Sequence, residues 1–423
     1  MNKLQQTARA VVLATLAWSG GAGADAVTDW NEIAVGAVSV GRPGAIGIVD
    51  LGLVQAAAHD AIQSYEHRFE PYYAEVPNAK GSKSAAAAAA VHGVLVGFYP
   101  SQAATLDATY TAWLANNGLT GNAGITVGEE VAARYLPLRR LDPNPLPPPF
   151  VGPDPPEVGK WRPTESFNGG PPPGPPPSFA PMAFPWVGSF DPLTLTGPAR
   201  FRAPPPPDLT SAKYTKDYDE VKALGALTGS TRTAAQTDIA WFWADNPVAI
   251  WHRGMRTLLQ KRGVGIGNSA RLLALASISA ADAVITAWDS KNFYVIWRPL
   301  TAIREGENDG NPDTAGDTTW QPFLNTPNYP DYTSGANNLS GAVTKSMELF
   351  FGRDDISFEL STTAVPAIKK TRQYSSFSAA AQQVVNVRIY HGIHFRFADL
   401  QARKQGRAVA EYVHDHFLLP ISQ

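Results

Sequence analysis

Apolar residues recur at three- and four-residue spacing along most of this chain, the periodicity of a helix with one buried face. Residues 51–69 (L-G-L-V-Q-A-A-A-H-D-A-I-Q-S-Y-E-H-R-F) carry the pattern, and the Ala-rich stretch 85–98 continues it. A further helix is predicted over 126–135, where Thr126 and Glu129 have the spacing of a capping box. Helices resume over 211–227 and 231–245, the second opening on T-R-T-A-A-Q with a threonine N-cap. The most apolar helix is predicted over 269–288 and leads directly into Lys291. Three more are expected over 334–351, 378–394 and 400–417. No alternating pattern of useful strand length interrupts them. The predicted class is mainly α, a helical bundle, and no short internal period is visible.

One segment breaks the pattern. Residues 143–185 hold 17 of the 36 prolines, including P-P-P-G-P-P-P. Proline lacks a backbone donor, so this segment is neither helix nor central strand. It reads as a proline-rich arm or loop, 142–208, within a single α-helical domain of residues 25–423. Ahead of that domain, Lys3 and Arg9 form a basic region and residues 10–18 a short apolar run. Ala22-Gly23-Ala24, or alternatively Ala24-Asp25-Ala26, then offers a small-x-small cleavage site. Residues 1–24 are therefore expected to be a signal peptide, and the mature protein periplasmic or secreted. The apolar run is too short to cross a bilayer, so no integral membrane span is expected.

Composition narrows the chemistry. Over 423 residues the formal charge is -2, with no polybasic run of the kind that binds nucleic acid or a membrane surface. Cysteine is absent, which excludes disulfides, thiolate metal sites and thiol catalysis.

Three short stretches carry the candidate chemistry. Residues 291–299 read K-N-F-Y-V-I-W-R-P, 333–337 read T-S-G-A-N, and 388–394 read R-I-Y-H-G-I-H. Arg298 and Arg388 offer planar forks to a tetrahedral oxyanion, and Lys291 adds a point charge. Ser334 offers a hydroxyl. Gly335 opens a helix whose free N–H groups and dipole favour an anion, and lets the backbone approach closely. His394 would make the one covalent contact, as nucleophile toward phosphorus or ligand to vanadium. Any fragment alone reads as surface charge or a turn; the three in this order are much stronger.

That order, K-x6-R-P, then S-G at a helix start, then R-x5-H, resembles the superfamily of vanadium-dependent haloperoxidases and type 2 phosphatidic acid phosphatases. The longer strings over 291–304, 329–342 and 387–397 are similar to its bacterial vanadium-haloperoxidase-related branch, as are A-A-A-H-D-A-I (56–62) and stretches within 221–245. The likeness spans nearly all of the chain after residue 24. It implies an α-helical bundle with the anion pocket at its core. It also implies that Lys291, Arg298, Ser334, Gly335 and Arg388 hold vanadate, or phosphate as substrate or analogue, with His394 axial and the metal ligand. Hydrogen peroxide and a halide or organic acceptor would be the small-molecule substrates. An acid phosphatase working through a phosphohistidine, or a non-catalytic oxyanion-binding homologue, are the alternatives.

One departure matters. The family's second motif is P-S-G-H, its histidine the acid/base catalyst; here Thr333-Ser334-Gly335 is followed by Ala336, whose methyl transfers no proton. Phe293 and Val387 depart from the pattern as well. His391, three residues before His394, is the candidate substitute acid/base, and Asn337 offers a hydrogen bond but no proton.

Other polar clusters read as structural. His59-Asp60 is expected to make core hydrogen bonds. The acidic loop 307–317 lacks the glycine and final glutamate of a calcium loop, and His414-Asp415-His416 is expected at an exposed helix end. Trp241 and Trp243 are expected in the core or at its edge.

Overall fold

The computed structural model describes residues 25–166 and 178–422. The expected signal segment 1–24 and the P-P-P-G-P-P-P run lie outside the described residues.

The fold is mainly α. The described residues form α1 (Ala26–Gly41), α2 (Ala45–Glu66), α3 (Lys83–Phe98), α4 (Ala103–Asn116), α5 (Gly124–Tyr135), α6 (Ala212–Gly225) and α7 (Ala234–Phe242). They continue with α8 (Pro247–Lys261), α9 (Ile266–Tyr294), α10 (Pro299–Arg304), α11 (Gly335–Phe351), α12 (Phe377–Tyr390) and α13 (Arg396–His416). Two short antiparallel hairpins accompany them: β1 (Glu165–Ser166) with β2 (Ser178–Phe179), and β3 (Phe358–Ser361) with β4 (Thr371–Tyr374). Helix α9 is the axis, buried all round from Ser269 to Lys291, and it packs on α2, α11 and α13. A helix so placed must satisfy its polar side chains internally. Ser277, Thr286 and Ser290 do so by donating to the carbonyl four residues back. Both α2 and α9 are long and apolar enough to cross a membrane, yet their most apolar windows are 94% and 100% buried against the rest of the protein.

The arm is tied to this axis. Asp282 of α9 accepts the Leu193 and Thr194 N–H groups and the Thr194 hydroxyl. Burial nevertheless pushes its carboxyl up to about 6. Trp161 and Val187 are fully buried, so the described parts of 142–208 wrap the bundle.

Local chemistry explains the helix ends. Thr233 and Gln236 form a reciprocal capping box at the start of α7. The capping box expected at Thr126 and Glu129 does not form: α5 begins two residues earlier, because Asn122 Oδ1 accepts the Gly124 and Ser82 N–H groups and turns the chain there. The helix expected over 378–394 stops at Tyr390. Gly392 lies at φ +76°, a left-handed conformation that ends a helix, and a Cβ there would stand 2.4 Å from Gly225 O. His394 thus sits in the turn between α12 and α13. Helices α1, α4, α8 and α10 and the β3–β4 hairpin were not anticipated.

Candidate active site

Three backbone devices bring the three stretches together. Lys291 lies in the last turn of α9, and Arg298 follows as the N-cap of α10. Ser334 is the N-cap of α11. Helices α11 and α13 cross in close contact through two glycines: a Cβ on Gly341 would meet Arg403 O at 2.4 Å, and one on Gly406 would meet Asn338 O at 2.1 Å. That approach sets the start of α13 against Ser334. The turn at Gly392 then returns His394 under Arg298.

Lys291, Arg298, Ser334 and His394 are all buried, and Arg388 of α12 is partly so. Lys291 Nζ donates to Pro330 O at 2.6 Å and to Asp331 O at 3.1 Å. Arg298 Nε donates to Tyr329 O and Nη1 to Ile393 O, each at 2.7 Å. The Tyr329 ring lies under both cations, 4.9 Å from Lys291 Nζ and 4.8 Å from the Arg298 guanidinium carbon. Burial holds Lys291 well below its ordinary range, with Arg298 and Arg388 adding repulsion. Burial likewise lowers both arginines. Three desolvated cations are costly together unless an anion joins them.

Two carboxyls stand among them that the sequence reading did not single out. Asp331 Oδ1 lies 2.7 Å from His394 Nδ1 and 3.5 Å from Arg298 Nη1. Burial pushes Asp331 up to about 7, against the pull of Arg298 and Lys291. Asp399 accepts from Asn337 Nδ2 at 2.7 Å and from the Ser334 hydroxyl; burial holds it well above the carboxylate range. Asp331 sat inside the quoted motif string, but a lone carboxylate has no spacing signature. A polar girdle fixes the strand between them: Thr333 Oγ1 donates to Gln405 Oε1 at 2.7 Å and accepts from Asn338 Nδ2 at 2.9 Å.

The partners of His394 assign its tautomer. Nδ1 lies 2.7 Å from Asp331 Oδ1, a proximity that favours the proton on Nδ1 although the oxygen makes no aligned hydrogen bond. Arg298 Nη1, a donor, lies against both ring nitrogens, 3.1 Å from Nε2 and 3.4 Å from Nδ1; with the proton on Nδ1, the nearer Nε2 carries the lone pair and accepts from Arg298. Burial and the three cations hold the ring well below its ordinary pKa, which keeps it neutral. A neutral imidazole with its lone pair on Nε2, here facing Arg298 Nη1, is the form a metal ligand or a nucleophile requires.

Orphaned donors mark where an oxyanion fits. Among the site's buried side-chain atoms, the donors Arg298 Nη2 and Arg388 Nε have no hydrogen-bond partner, and neither do the acceptors Asp331 Oδ1, Asp331 Oδ2 and Asp399 Oδ2. Both belong to guanidiniums suited to a tetrahedral anion, and together with Lys291 and the Nε2 lone pair they form a set that fits vanadate or phosphate; the Ser334 hydroxyl is engaged with Asp399.

His391 lies close by but is committed elsewhere. Its Nε2 donates to Ala240 O at 2.8 Å and its Nδ1 lies 3.4 Å from Arg388 Nη1. Burial lowers it to about 3, with Arg388 adding to the effect. A neutral ring with both nitrogens engaged steadies Arg388 and has no proton to give near pH 7. Beside it, over Ala336 and Arg388, opens a cavity of about 190 Å³.

The remaining candidates are accounted for. His59 Nε2 bonds Glu70 O, and Asp60 accepts three backbone N–H groups and the Tyr135 hydroxyl. His414 and His416 pair locally at an exposed helix end, and no group of three metal-ligating side chains exists among the described residues. Trp243 is in the core and Trp241 packs at its edge on Phe323.

Residues 271–422 match the family model for a VCPO second helical-bundle domain. The chain is 28% identical over 299 residues to a vanadium chloroperoxidase from Curvularia inaequalis, a match covering 55% of this chain and 48% of that protein. The chain thus spans about half the length of that relative. Among solved structures, the first bacterial vanadium-dependent iodoperoxidase superposes with a TM-score of 0.77 at 24% identity, covering 93% of this chain and 97% of the other. A holo-type bacterial vanadium-dependent chloroperoxidase gives 0.71 at 18% identity, covering 89% and 93%.

Proposed function

We infer that this chain, which belongs to the vanadium haloperoxidase superfamily, is a vanadate-dependent peroxidase acting on hydrogen peroxide and a halide or organic acceptor. The observation that carries the reading is the pair of orphaned guanidinium donors, Arg298 Nη2 and Arg388 Nε, beside a histidine whose Nε2 keeps its lone pair. Vanadate, when bound, supplies a Lewis-acidic centre that activates peroxide toward the acceptor. Lys291, Arg298 and Arg388 would neutralise its charge, Ser334 and the α11 N-terminus would add donors, and His394 Nε2 would be the ligand. Asp331 holds the ring through Nδ1 and raises its basicity. Ala336 supplies no proton, so proton transfer falls to water or to the neighbouring carboxyls, and turnover is slow by comparison with relatives that have histidine there.

A second reading rests on the same Asp331–His394 contact. A phosphomonoester seated in the cage would be attacked by Nε2, forming the N–P bond as the ester P–O bond breaks. The imidazolium so formed would be held by Asp331, and water would then hydrolyse the phosphohistidine. With no acid at position 336, only esters with good leaving groups would react well.

The N-terminal pattern supports action outside the cytoplasm, in the periplasm or medium. Helix α9 packs on helices from both halves of the chain, which supports residues 25–423 as one domain.

Orthovanadate titration of wild type and His394→Ala tests the cage: wild type should bind and the variant should not. Bromide, peroxide and a phenolic indicator, run beside p-nitrophenyl phosphate without vanadium, separate the two activities. Tight vanadate binding with silence in both assays would leave a non-catalytic oxyanion-binding protein and overturn the enzymatic reading.

A further inference from the structure

The cavity beside the cage has its own character. It is about 190 Å³ and is walled largely by apolar side chains, among them Trp243, Leu324, Val384 and Val387. Ala336 and Arg388 line it on one side, so it adjoins the candidate oxyanion site through Arg388. Asp245, Asn325, His391 and Arg388 are the polar residues on its wall. His391 bonds Ala240 O, and Asp245 is paired with Arg253 and accepts the Thr363 N–H and hydroxyl. Apart from Arg388 and Asn325, then, the chamber presents a mainly apolar surface whose carboxylate, Asp245, is charge-compensated.

Ala336 is one of the small residues that line the space. A larger side chain at the second residue of α11 would project into it, whereas a methyl leaves room above the anion. An enclosed apolar cavity of roughly 150 Å³ accepts a benzene ring; this one has about 190 Å³ and is partly open to solvent, so one ring fits it by volume.

We propose that this chamber is a binding site for a neutral aryl group, one ring in size, seated over Ala336 against the bound oxyanion. The inference rests on the oxyanion reading of the cage and adds the class of organic substrate to it. The aryl group belongs either to a separate acceptor, such as an aryl sulfide or phenol, or to an ester whose phosphate occupies the cage. Aliphatic chains longer than the chamber and anionic rings fit it poorly, since nothing but Arg388 answers a second negative charge.

The test compares inorganic phosphate, methylphosphonate and phenylphosphonate by calorimetry on the vanadium-free protein. Burying one ring should make phenylphosphonate bind about tenfold or more tighter than methylphosphonate. Leu324→Trp, on the wall, and Ala336→Leu, at the floor, should each cut that ratio to about threefold or less while phosphate still binds. A second arm adds thioanisole to the phosphate-saturated protein. Binding there assigns the ring to a separate acceptor; a gain for phenylphosphonate with no thioanisole binding assigns it to an ester. If phosphate and methylphosphonate bind but the phenyl group adds nothing, the chamber proposal is overturned and the cage stands. If none of the three binds, the cage reading itself fails.

Discussion

Asp331 Oδ1 lies 2.7 Å from Nδ1 of His394, both side chains fully buried, and this proximity favours the proton on Nδ1 and the lone pair on Nε2. Without the carboxylate, the proton would be free to sit on Nε2, and the ligand lone pair would point the wrong way. Partners of this kind, one bond removed from a metal, typically contribute ten- to a hundredfold in affinity. Asp331→Ala should therefore weaken vanadate binding by about that range, and Asp331→Asn, which keeps an acceptor oxygen, by less. Titration followed by vanadium NMR reads both the affinity and the signal of the bound ion. Equal affinities for wild type and Asp331→Ala would remove Asp331 from the site.

The turn that delivers His394 makes its own prediction. Gly392 is in the left-handed region, and a methyl there would collide with Gly225 O at 2.4 Å and with Pro322 at 2.9 Å. Gly392→Ala should cost about 2 kcal/mol or more, from strained backbone and overpacking combined. Vanadate affinity should fall with it, because His391 to His394 must shift as a unit. A variant that melts with wild type and binds vanadate equally well would show that the turn has slack the packing does not suggest.

Much of the cage was legible from sequence because its cations lie in strings whose order and spacing are distinctive. What was not legible shares a cause. Asp331 and Asp399 act through contacts made across 60 or more residues, to His394 and to Asn337, and a single carboxylate gives no local sign of such a partner. The end of α12 turned on Gly392, one glycine among the chain's 36, whose conformation is set by its packing against Gly225. The role suggested for His391 came from its distance along the chain to His394. In the fold its Nε2 is taken by a carbonyl of α7, a partner that spacing does not reveal. Helix α8 was missed although Asn246 and Pro247 mark its start plainly, because the preceding aromatic stretch was read as one helix reaching Asp245.

Buried histidines give the fold an acid limit. His252 is fully buried, its Nδ1 accepts from Asn31 Nδ2 at 2.9 Å, and burial, then Arg256, lowers it to about 3. The unfolded chain takes up a proton near pH 6.5 that the folded state refuses. This contribution is complete above pH 6.5 and is lost as pH falls from there toward 3. Asp60 and Asp282, raised to about 6, run in the opposite direction over an overlapping range, so only a difference isolates His252. Relative to His252→Gln, wild type should lose up to about 1.4 kcal/mol per pH unit below 6.5. Urea unfolding at pH 7.5, 6 and 5 measures this. Parallel dependence in the two proteins would mean that His252 is protonated in the folded state.

Ala336→His sets the two proposals against each other. An imidazole at the second residue of α11 would stand beside the oxyanion and restore the proton donor missing from this cage, and general acid–base assistance is worth about a hundred- to ten-thousandfold. Peroxide-dependent bromide oxidation by the vanadate-loaded variant should rise accordingly, as should hydrolysis of esters with poorer leaving groups if the phosphatase reading holds. The same ring would occupy the floor of the chamber lined by Trp243 and Val387, so the preference for phenylphosphonate over methylphosphonate should shrink in the same protein. The present residue thus favours room for an aryl group over proton transfer. A folded Ala336→His variant that gains no activity and keeps the full phenyl preference would contradict both halves of that trade.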